Sequence, residues 1–243
     1  MDERRRILTA LGWGTICHLS FAVGAGLMVY QMFFGLTRTW GAVPYPAAIF
    51  ANAALLLQFP LLHSALLTGK GRKILALIGP DPRLATTVYA LIASLQLALI
   101  FAFWTPSGVV LWQPQGAAFW AMCAAYLGAW GYLGLAILQS GVQLQSGALG
   151  WLAMLWDRAP RFPDLPTGGL YRLTRHPIYL GFALTLWAAP VWSLDQLCLA
   201  ALWTAYCVLA PLHKERRLSA TFGARFEQYQ ARVPYWLPLP RNR

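Results

Sequence analysis

The chain has 243 residues, of which 58% are hydrophobic and 11% are charged, and its formal net charge is +11. Soluble domains carry about 25% charged residues, so a soluble fold of this length is excluded. The basic residues lie in short clusters between long apolar runs, which is typical of membrane topology and not of a nucleic-acid surface. We therefore expect the lipid bilayer as a partner and no binding of nucleic acid.

Six apolar segments follow one another along the chain. The first four reach or exceed the roughly 20 residues that a membrane-spanning helix needs. The last two are shorter and are separated only by Ser193, Leu194 and Asp195, which predicts a helical hairpin that crosses a thin or tilted region or stops part-way. The first run is too long for a cleavable signal peptide. We predict an all-α integral membrane protein with about six transmembrane helices, in the segments Ile7–Phe34, Ala47–Leu67, Leu84–Trp104, Ala117–Leu138, Ile178–Trp192 and Gln196–Leu212.

The positive charges are distributed asymmetrically across these segments. If the N-terminus is inside, 18 of the 19 Lys and Arg residues, including Arg241 and Arg243, fall in inner segments, and only Arg38 lies outside. Cytoplasmic loops are enriched in Lys and Arg. The pattern therefore predicts that both termini are cytoplasmic, and we expect a bacterial inner membrane with the active site at its cytoplasmic face.

The polar residues indicate where chemistry can take place. The longest polar stretches are Gln139–Pro177 and His213–Arg243, both on the predicted cytoplasmic side. We divide the chain into a four-helix transmembrane region, 1–140, and a core, 141–243, with a cofactor loop, the hairpin and a tail. Four cysteines lie within apolar runs and form no CxxC pair, which indicates packing and no disulfide framework or metal site.

The most informative stretch runs from Gly168 to Gly181. Pro177 suits the first turn of a helix, so Arg175 and His176 stand at an N-terminus that favours an anionic group. His176, Tyr179 and Leu180 share one helix face, and Gly181 permits close approach of a backbone or a ligand. A basic membrane anchor with a helix-starting proline is the alternative interpretation of these residues.

The hairpin should return the chain to the level of this stretch, because its two arms are similar in length. Glu215 is then expected near Arg175 and His176, where cations suit a carboxylate and Glu215 suits an ammonium. The methionine end of S-adenosylmethionine carries both groups. Alternatively, Glu215 pairs with Arg216 or Arg217 at the interface.

The run GLYRLTRHPIYLGF, then a short hairpin, then KERRL and FGARFEQYQARVPYWLP, resembles the C-terminal core of the membrane methyltransferases. That group includes isoprenylcysteine carboxyl, phospholipid N- and methanethiol S-methyltransferases, and the resemblance covers roughly Thr167 to Pro238. It implies S-adenosylmethionine as cofactor, Arg175 and His176 as catalytic residues, and packing of the tail over the cofactor by Tyr229, Val233 and Pro234. The cofactor contacts it implies are Tyr171, Arg175, His176, Tyr179, Leu180, Gly181 and Glu215.

One position departs from the family pattern, and it bears on the methyl acceptor. The family commonly has two adjacent Glu residues after the hairpin, whereas here Lys214 precedes Glu215. We expect a small or lipid-like acceptor, with a thiol first, a prenylcysteine-like carboxylate second and a lipid amine third. A thiol must lose its proton, because the thiolate is the nucleophile.

Two rival functions remain open from the sequence. A haem-binding redox or isomerase protein of a related branch would draw axial ligands from His18, His63, His176 and His213. A transporter would place ionisable residues inside its spans, but the predicted spans hold almost none apart from His18, which disfavours transport.

Overall fold

The computed structural model describes residues 1–237, and α-helices dominate them. The predicted inner cations Arg241 and Arg243, the end of the predicted core at residue 243 and the end of the family resemblance at Pro238 lie outside the described residues. Two short strands, β1 (Val110–Trp112) and β2 (Trp192–Ser193), pair antiparallel. The helices are α1 (Glu3–Phe33), α2 (Ala47–Leu66), α3 (Gly69–Ile78), α4 (Ala85–Phe103), α5 (Gly116–Gln145), α6 (Ala148–Leu155), α7 (Pro177–Trp187), α8 (Leu194–Phe222) and α9 (Ala224–Arg232).

Five of these helices are long and apolar enough to cross a membrane, namely α1, α2, α4, α5 and α8. The prediction of a helical fold with membrane-spanning segments is confirmed. The fifth predicted span is the 11-residue α7, which is about 16 Å long at 1.5 Å per residue and covers about half of a ~30 Å hydrocarbon core. The number of spans and the orientation of the termini stay predictions.

Several helix ends differ from the apolar segments because hydropathy does not determine where a helix stops. The last segment was expected to end at Leu212, but α8 continues to Phe222, through Lys, Glu and Arg residues that favour helix. It ends at Gly223, which has a positive φ of 49°. The fifth segment was expected to reach Trp192, but α7 stops at Trp187, before Pro190, which cannot continue a helix.

The chain divides into two compact units. The first comprises Met1–Met32, Leu36–Gly108 and Val142–Phe162, and the second comprises Phe33–Gly35, Val109–Gly141 and the chain from Pro163 onward. The predicted division separates a transmembrane region, 1–140, from a core with the cofactor loop, 141–243. It is based on function and not on contacts, and it stays a prediction.

Polar pairs join α2 to α4 in the first unit. The Gln96 amide donates to the Gln58 side-chain oxygen at 2.6 Å and to the Gln58 carbonyl at 2.8 Å. The Asn52 amide donates to the Thr105 carbonyl at 2.8 Å, and its oxygen accepts from the Thr105 N–H at 2.9 Å. In a membrane, lipid tails are as apolar as the side chains, so the hydrophobic effect does not drive helices together. Interhelical hydrogen bonds such as these then contribute to helix association.

An ion network closes one end of the first unit. Asp157, just beyond α6, pairs with Arg6 of α1 at 2.6 Å and with Arg83 at 2.8 Å. Arg83 also pairs with Asp81 at 2.7 Å, in the turn before α4. The contacts link the start of α1, the turn before α4 and the end of α6.

In the second unit, α7 and α8 form the predicted hairpin. The Ser193 hydroxyl accepts from the Gln196 N–H at 2.9 Å and so caps α8. The Gln196 amide donates to the Leu186 carbonyl at 2.7 Å, which connects the two arms. Gly181 of α7 packs against α5, because a Cβ built there would lie 3.0 Å from the Leu133 Cα.

We expect Asp157→Asn to lower the midpoint of thermal unfolding in detergent. The hydrogen bonds from Arg83 and then Arg6 lower the pKa of Asp157. A depressed carboxyl pKa adds stability above the unfolded value of about 3.9, and that stability is lost as the pH falls further. The difference between wild type and variant should therefore shrink below about pH 4 and at high salt. The control is Glu227→Gln on the exposed face of α9, and a pH-independent difference would contradict the ion-network explanation.

Candidate active site

The start of α7 places two predicted site residues at the edge of the second unit's core. Pro177 is the first residue of the helix and His176 is the residue before it, as predicted. The His176 side chain is 1% exposed, whereas Arg175 remains half-buried. A 3-10 turn at Gly169–Arg172 precedes them, held where the Leu170 N–H donates to the Gln139 side chain at 2.8 Å.

The Glu215 carboxylate meets both of these residues from α8. Its Oε1 lies 2.7 Å from the Arg175 Nε and 2.8 Å from the His176 Nε2. Its Oε2 accepts from the Gln230 amide of α9 at 2.8 Å. Glu215 is therefore the point at which the start of α7, α8 and α9 join, as the hairpin argument predicted for the first two.

Arg175 binds protein groups through each nitrogen of its guanidinium. Besides Glu215, its Nη1 donates to the Val233 carbonyl at 2.8 Å and to the Gln230 carbonyl at 3.1 Å, and its Nη2 reaches the Glu215 Oε2 at 3.5 Å. Its backbone N–H donates to the Pro234 carbonyl at 3.0 Å. The contacts show that Arg175 fixes the segment after α9.

The segment after α9 packs onto the start of α7, and packing of Tyr229, Val233 and Pro234 over the cofactor stays a prediction. The Tyr229 hydroxyl donates to the Tyr171 carbonyl at 2.6 Å. Tyr235 places its ring 5.1 Å from that of His176 and donates its hydroxyl to the Val208 carbonyl at 2.6 Å. Tyr171 is buried and contributes this carbonyl to the site.

His176 is neutral at physiological pH. Burial, and then the Lys214 cation, lower its pKa to about 4, while the contact with Glu215 opposes the shift. A neutral imidazole donates from one nitrogen and accepts at the other. Because Nε2 faces the carboxylate, it carries the hydrogen. Nδ1 is then a buried acceptor, and it has no hydrogen-bond partner among residues 1–237.

The remaining predicted residues lie along α7. The Tyr179 ring is 6.0 Å from the His176 ring, and the Lys214 Nζ lies 5.8 Å from its centre. Leu180 is half-buried one residue further along. Gly181 faces Leu133, and the absence of a side chain at this position allows α7 to pack closely against α5.

Two groups at the site were absent from the predicted set. Gln230 binds Glu215, and Tyr235 covers His176. Both belong to the quoted run FGARFEQYQARVPYWLP, so the sequence contained them. Their roles depend on how the chain folds back after Gly223, and neither spacing nor composition indicates that path.

Two of the four histidines of the haem alternative, His18 and His63, contact aromatic side chains. The His18 Nε2 accepts from the Trp151 indole at 3.1 Å, and His63 stacks on Phe59 with ring centres 4.8 Å apart. His213 is exposed on α8. Within residues 1–237, no three His, Cys, Asp or Glu side chains are grouped so that they could hold a metal ion.

Comparison with known proteins gives similarity over the whole chain. The chain is 30% identical over 249 residues to a methanethiol S-methyltransferase of Mycobacterium tuberculosis, covering 98% of this chain and 99% of the relative. It is 28% identical over 238 residues to a methanethiol S-methyltransferase of a Pseudomonas strain, covering 95% and 90%. A segment of 69 residues is 44% identical to methanethiol S-methyltransferase 2 of Bradyrhizobium diazoefficiens, covering 28% and 27%. No protein-family model and no solved structure matches the chain.

We expect Arg175→Lys to release the segment after α9, because a lysine cannot contact Glu215 and two carbonyl groups in the same fork geometry. Trypsin should then cleave after Arg232 about tenfold faster, since cleavage follows the population of the open form. Arg172→Lys is the matched control, because Arg172 is exposed before α7. Equal cleavage of Arg175→Lys and wild type would show that Arg175 does not hold this segment.

The lowered pKa of His176 predicts a pH-dependent stability. An unfolded histidine titrates near 6.5, so between about pH 6.5 and 4 the unfolded chain binds a proton that the folded chain does not. Stability is therefore full above this window and falls as the pH decreases through it. Thermal melts of wild type should show this loss, His176→Gln should lack it, and His213→Gln should retain it. The same slope in His176→Gln would assign the titration to another group.

Proposed function

Since the chain belongs to the methanethiol S-methyltransferase family of membrane methyltransferases, we propose that it transfers a methyl group from S-adenosylmethionine to a small or lipid-like thiol. The observation that carries the proposal is the Arg175–His176–Glu215 cluster at the start of α7, together with relatives named for this activity. The five long apolar helices and the inner clustering of cations support a membrane enzyme with its site at the cytoplasmic face.

The cluster suits the zwitterionic end of the methyl donor. A carboxylate has about four acceptor positions on its two oxygens. Those of Glu215 are used by Arg175, His176 and Gln230, and the longest of these contacts is the one from the Arg175 Nη2 to Oε2 at 3.5 Å. An ammonium would bind Oε2 in place of that long contact. The N-terminus of α7 favours the carboxylate of the same ligand. S-adenosylmethionine supplies an electrophilic methyl group on a sulfonium when it is bound.

The chain's own residues supply orientation and a proton acceptor. Alignment of two reactants is worth up to ~7–11 kcal/mol of the barrier, and the closely packed start of α7 provides fixed positions for it. The buried Nδ1 of His176 has a free lone pair, because Glu215 holds the other nitrogen. We assign to Nδ1 the acceptance of the thiol proton. Arg175 keeps Glu215 and the covering segment in place around it.

The first test is binding and turnover of the detergent-purified protein. Calorimetric titration with S-adenosylhomocysteine should show saturable binding that weakens about tenfold or more in Glu215→Gln, the expected cost of a charge-assisted contact. Headspace detection of methylated product should follow addition of S-adenosylmethionine and methanethiol. His176→Gln should lose turnover more than binding.

The matched control is Glu227→Gln, which removes an exposed carboxylate from α9 and should change neither quantity. Absence of binding together with a Soret absorption band would contradict the proposal and favour the haem protein. Binding without turnover on thiols, but with turnover on a prenylcysteine carboxylate or a lipid amine, would retain the donor and reject the thiol.

A further inference from the structure

Lys214 is a cation at the site that has no acidic partner. It immediately precedes Glu215 on α8 and is half-buried. Its Nζ lies 5.8 Å from the centre of the Tyr179 ring, yet it forms no hydrogen bond and no ion pair within the described part of the chain. The carboxylate next to it is occupied by Arg175 and His176. Half-burial makes an uncompensated charge costly, which points to an anionic ligand.

The charges around Lys214 leave a positive excess. The titratable or charged groups that act on it are His176 and Tyr179 from the α7 segment and Glu215 and Arg217 from its own helix. Arg175 and Tyr235 complete the set through their contacts with Glu215 and His176. With Lys214 itself, the set contains three cations, Arg175, Arg217 and Lys214, and one anion, Glu215.

We propose that the Lys214 ammonium contacts the sulfur of the acceptor and stabilises it as a thiolate. This inference rests on the proposed function, and it adds the residue that selects a thiol as acceptor. In this proposal the acceptor sulfur lies beside the Lys214 ammonium and the Tyr179 ring, whose centre is 5.8 Å from the Lys214 Nζ and 6.0 Å from the His176 ring.

The position of Lys214 on the helix argues against a role in holding the donor's carboxylate. Consecutive helical residues point about 100° apart, and neighbours in sequence do not face each other. The donor's carboxylate and ammonium are attached to a single carbon atom. If Glu215 binds the ammonium, the carboxylate lies beside it near the start of α7, away from the direction of Lys214.

The low pKa of His176 also requires such a cation. A cysteine thiol has a pKa of about 8.5 and a simple alkanethiol is a weaker acid, whereas His176 has a pKa of about 4, so proton transfer between them is unfavourable unless the thiolate is stabilised. In the step, the S–H bond breaks and its proton passes to the His176 Nδ1. The thiolate electron pair forms the new bond to the methyl carbon. The methyl–sulfonium bond breaks with its pair left on the departing thioether sulfur, and His176 returns its proton to water.

The size of the effect follows from two opposing trends. Each unit by which the thiol pKa falls raises the thiolate fraction tenfold at a pH below that pKa. Nucleophilicity falls by a Brønsted slope of about 0.4–0.5, so the net gain is roughly threefold per unit. A shift of about two units therefore accelerates the reaction about tenfold at neutral pH, and it brings no gain above the unperturbed pKa.

The test compares Lys214→Met, Lys214→Arg and the control Arg216→Met, which removes an exposed cation from the same helix. Single-turnover rates are measured from pH 6 to 10 with saturating S-adenosylmethionine and methanethiol. We expect Lys214→Met to be about tenfold slower at pH 7, with its rate profile displaced to higher pH by about two units. The difference from wild type should narrow as the pH approaches the unperturbed pKa of the thiol. Lys214→Arg, which keeps the cation, should be displaced less than Lys214→Met, and Arg216→Met should retain the wild-type profile.

Binding of S-adenosylhomocysteine by the same proteins separates the two possible roles of the cation. Affinity within about twofold of wild type in Lys214→Met, combined with the shifted profile, supports the inference. A large loss of affinity with an unshifted profile would assign Lys214 to the donor's carboxylate and overturn it, as would an unchanged profile with unchanged affinity. If Lys214→Met does not fold, Lys214→Gln is judged by the same criteria. A wild-type protein that methylates no thiol would instead reject the proposed function itself.

Discussion

The Glu215 carboxylate is the constraint on which the second unit depends. A half-buried carboxylate is stable only when it is hydrogen-bonded and paired, and its donors come from Arg175 and His176 before α7 and from Gln230 on α9. Arg175 and His176 lie 40 and 39 residues before Glu215, and Gln230 lies 15 residues after it. The carboxylate can therefore be satisfied only when the hairpin is closed and the chain after Gly223 has folded back. Formation of the site and ordering of the terminal segment are one event.

Because most polar groups of the site bind one another, only a few can bind a ligand. Arg175 looks like an anion-binding residue in the sequence, yet its guanidinium is used by Glu215, Val233 and Gln230. The groups that can still bind a ligand are the Nδ1 of His176, the Glu215 Oε2, whose contact with the Arg175 Nη2 is long at 3.5 Å, and the Lys214 ammonium. They differ in character as acceptor, anion and cation. That combination matches a reaction with a proton to remove, an ammonium to bind and a thiolate to stabilise.

The residues at the start of α7 could be predicted from the sequence. The path of the chain after Gly223, where it folds back onto α7, could not. Pro177 and His176 indicated the helix start, and the equal arms of the hairpin brought Glu215 to that level. The fall in hydropathy after Leu212 predicts that the last apolar segment ends before Lys214 and Glu215, whereas both lie on the continuous helix α8. The sequence indicates no role for Gln230 and Tyr235, since their positions follow from the turn at Gly223 and from α9. The network of Asp157 with Arg6 and Arg83 joins residues too distant in sequence for any periodicity to indicate.

The position of the site at the end of apolar helices suits a reaction that removes charge. A thiolate and a sulfonium react to give two neutral thioethers, so an environment of low polarity disfavours the reactants more than the transition state. The same environment opposes the formation of the thiolate, because an isolated anion is costly to bury. A lysine beside the acceptor lowers that cost where it arises, and a buried histidine of low pKa does not retain the proton. In the proposed mechanism, Lys214 and His176 therefore divide a task that neither performs alone: Lys214 stabilises the sulfur anion, and His176 accepts the thiol proton and returns it to water.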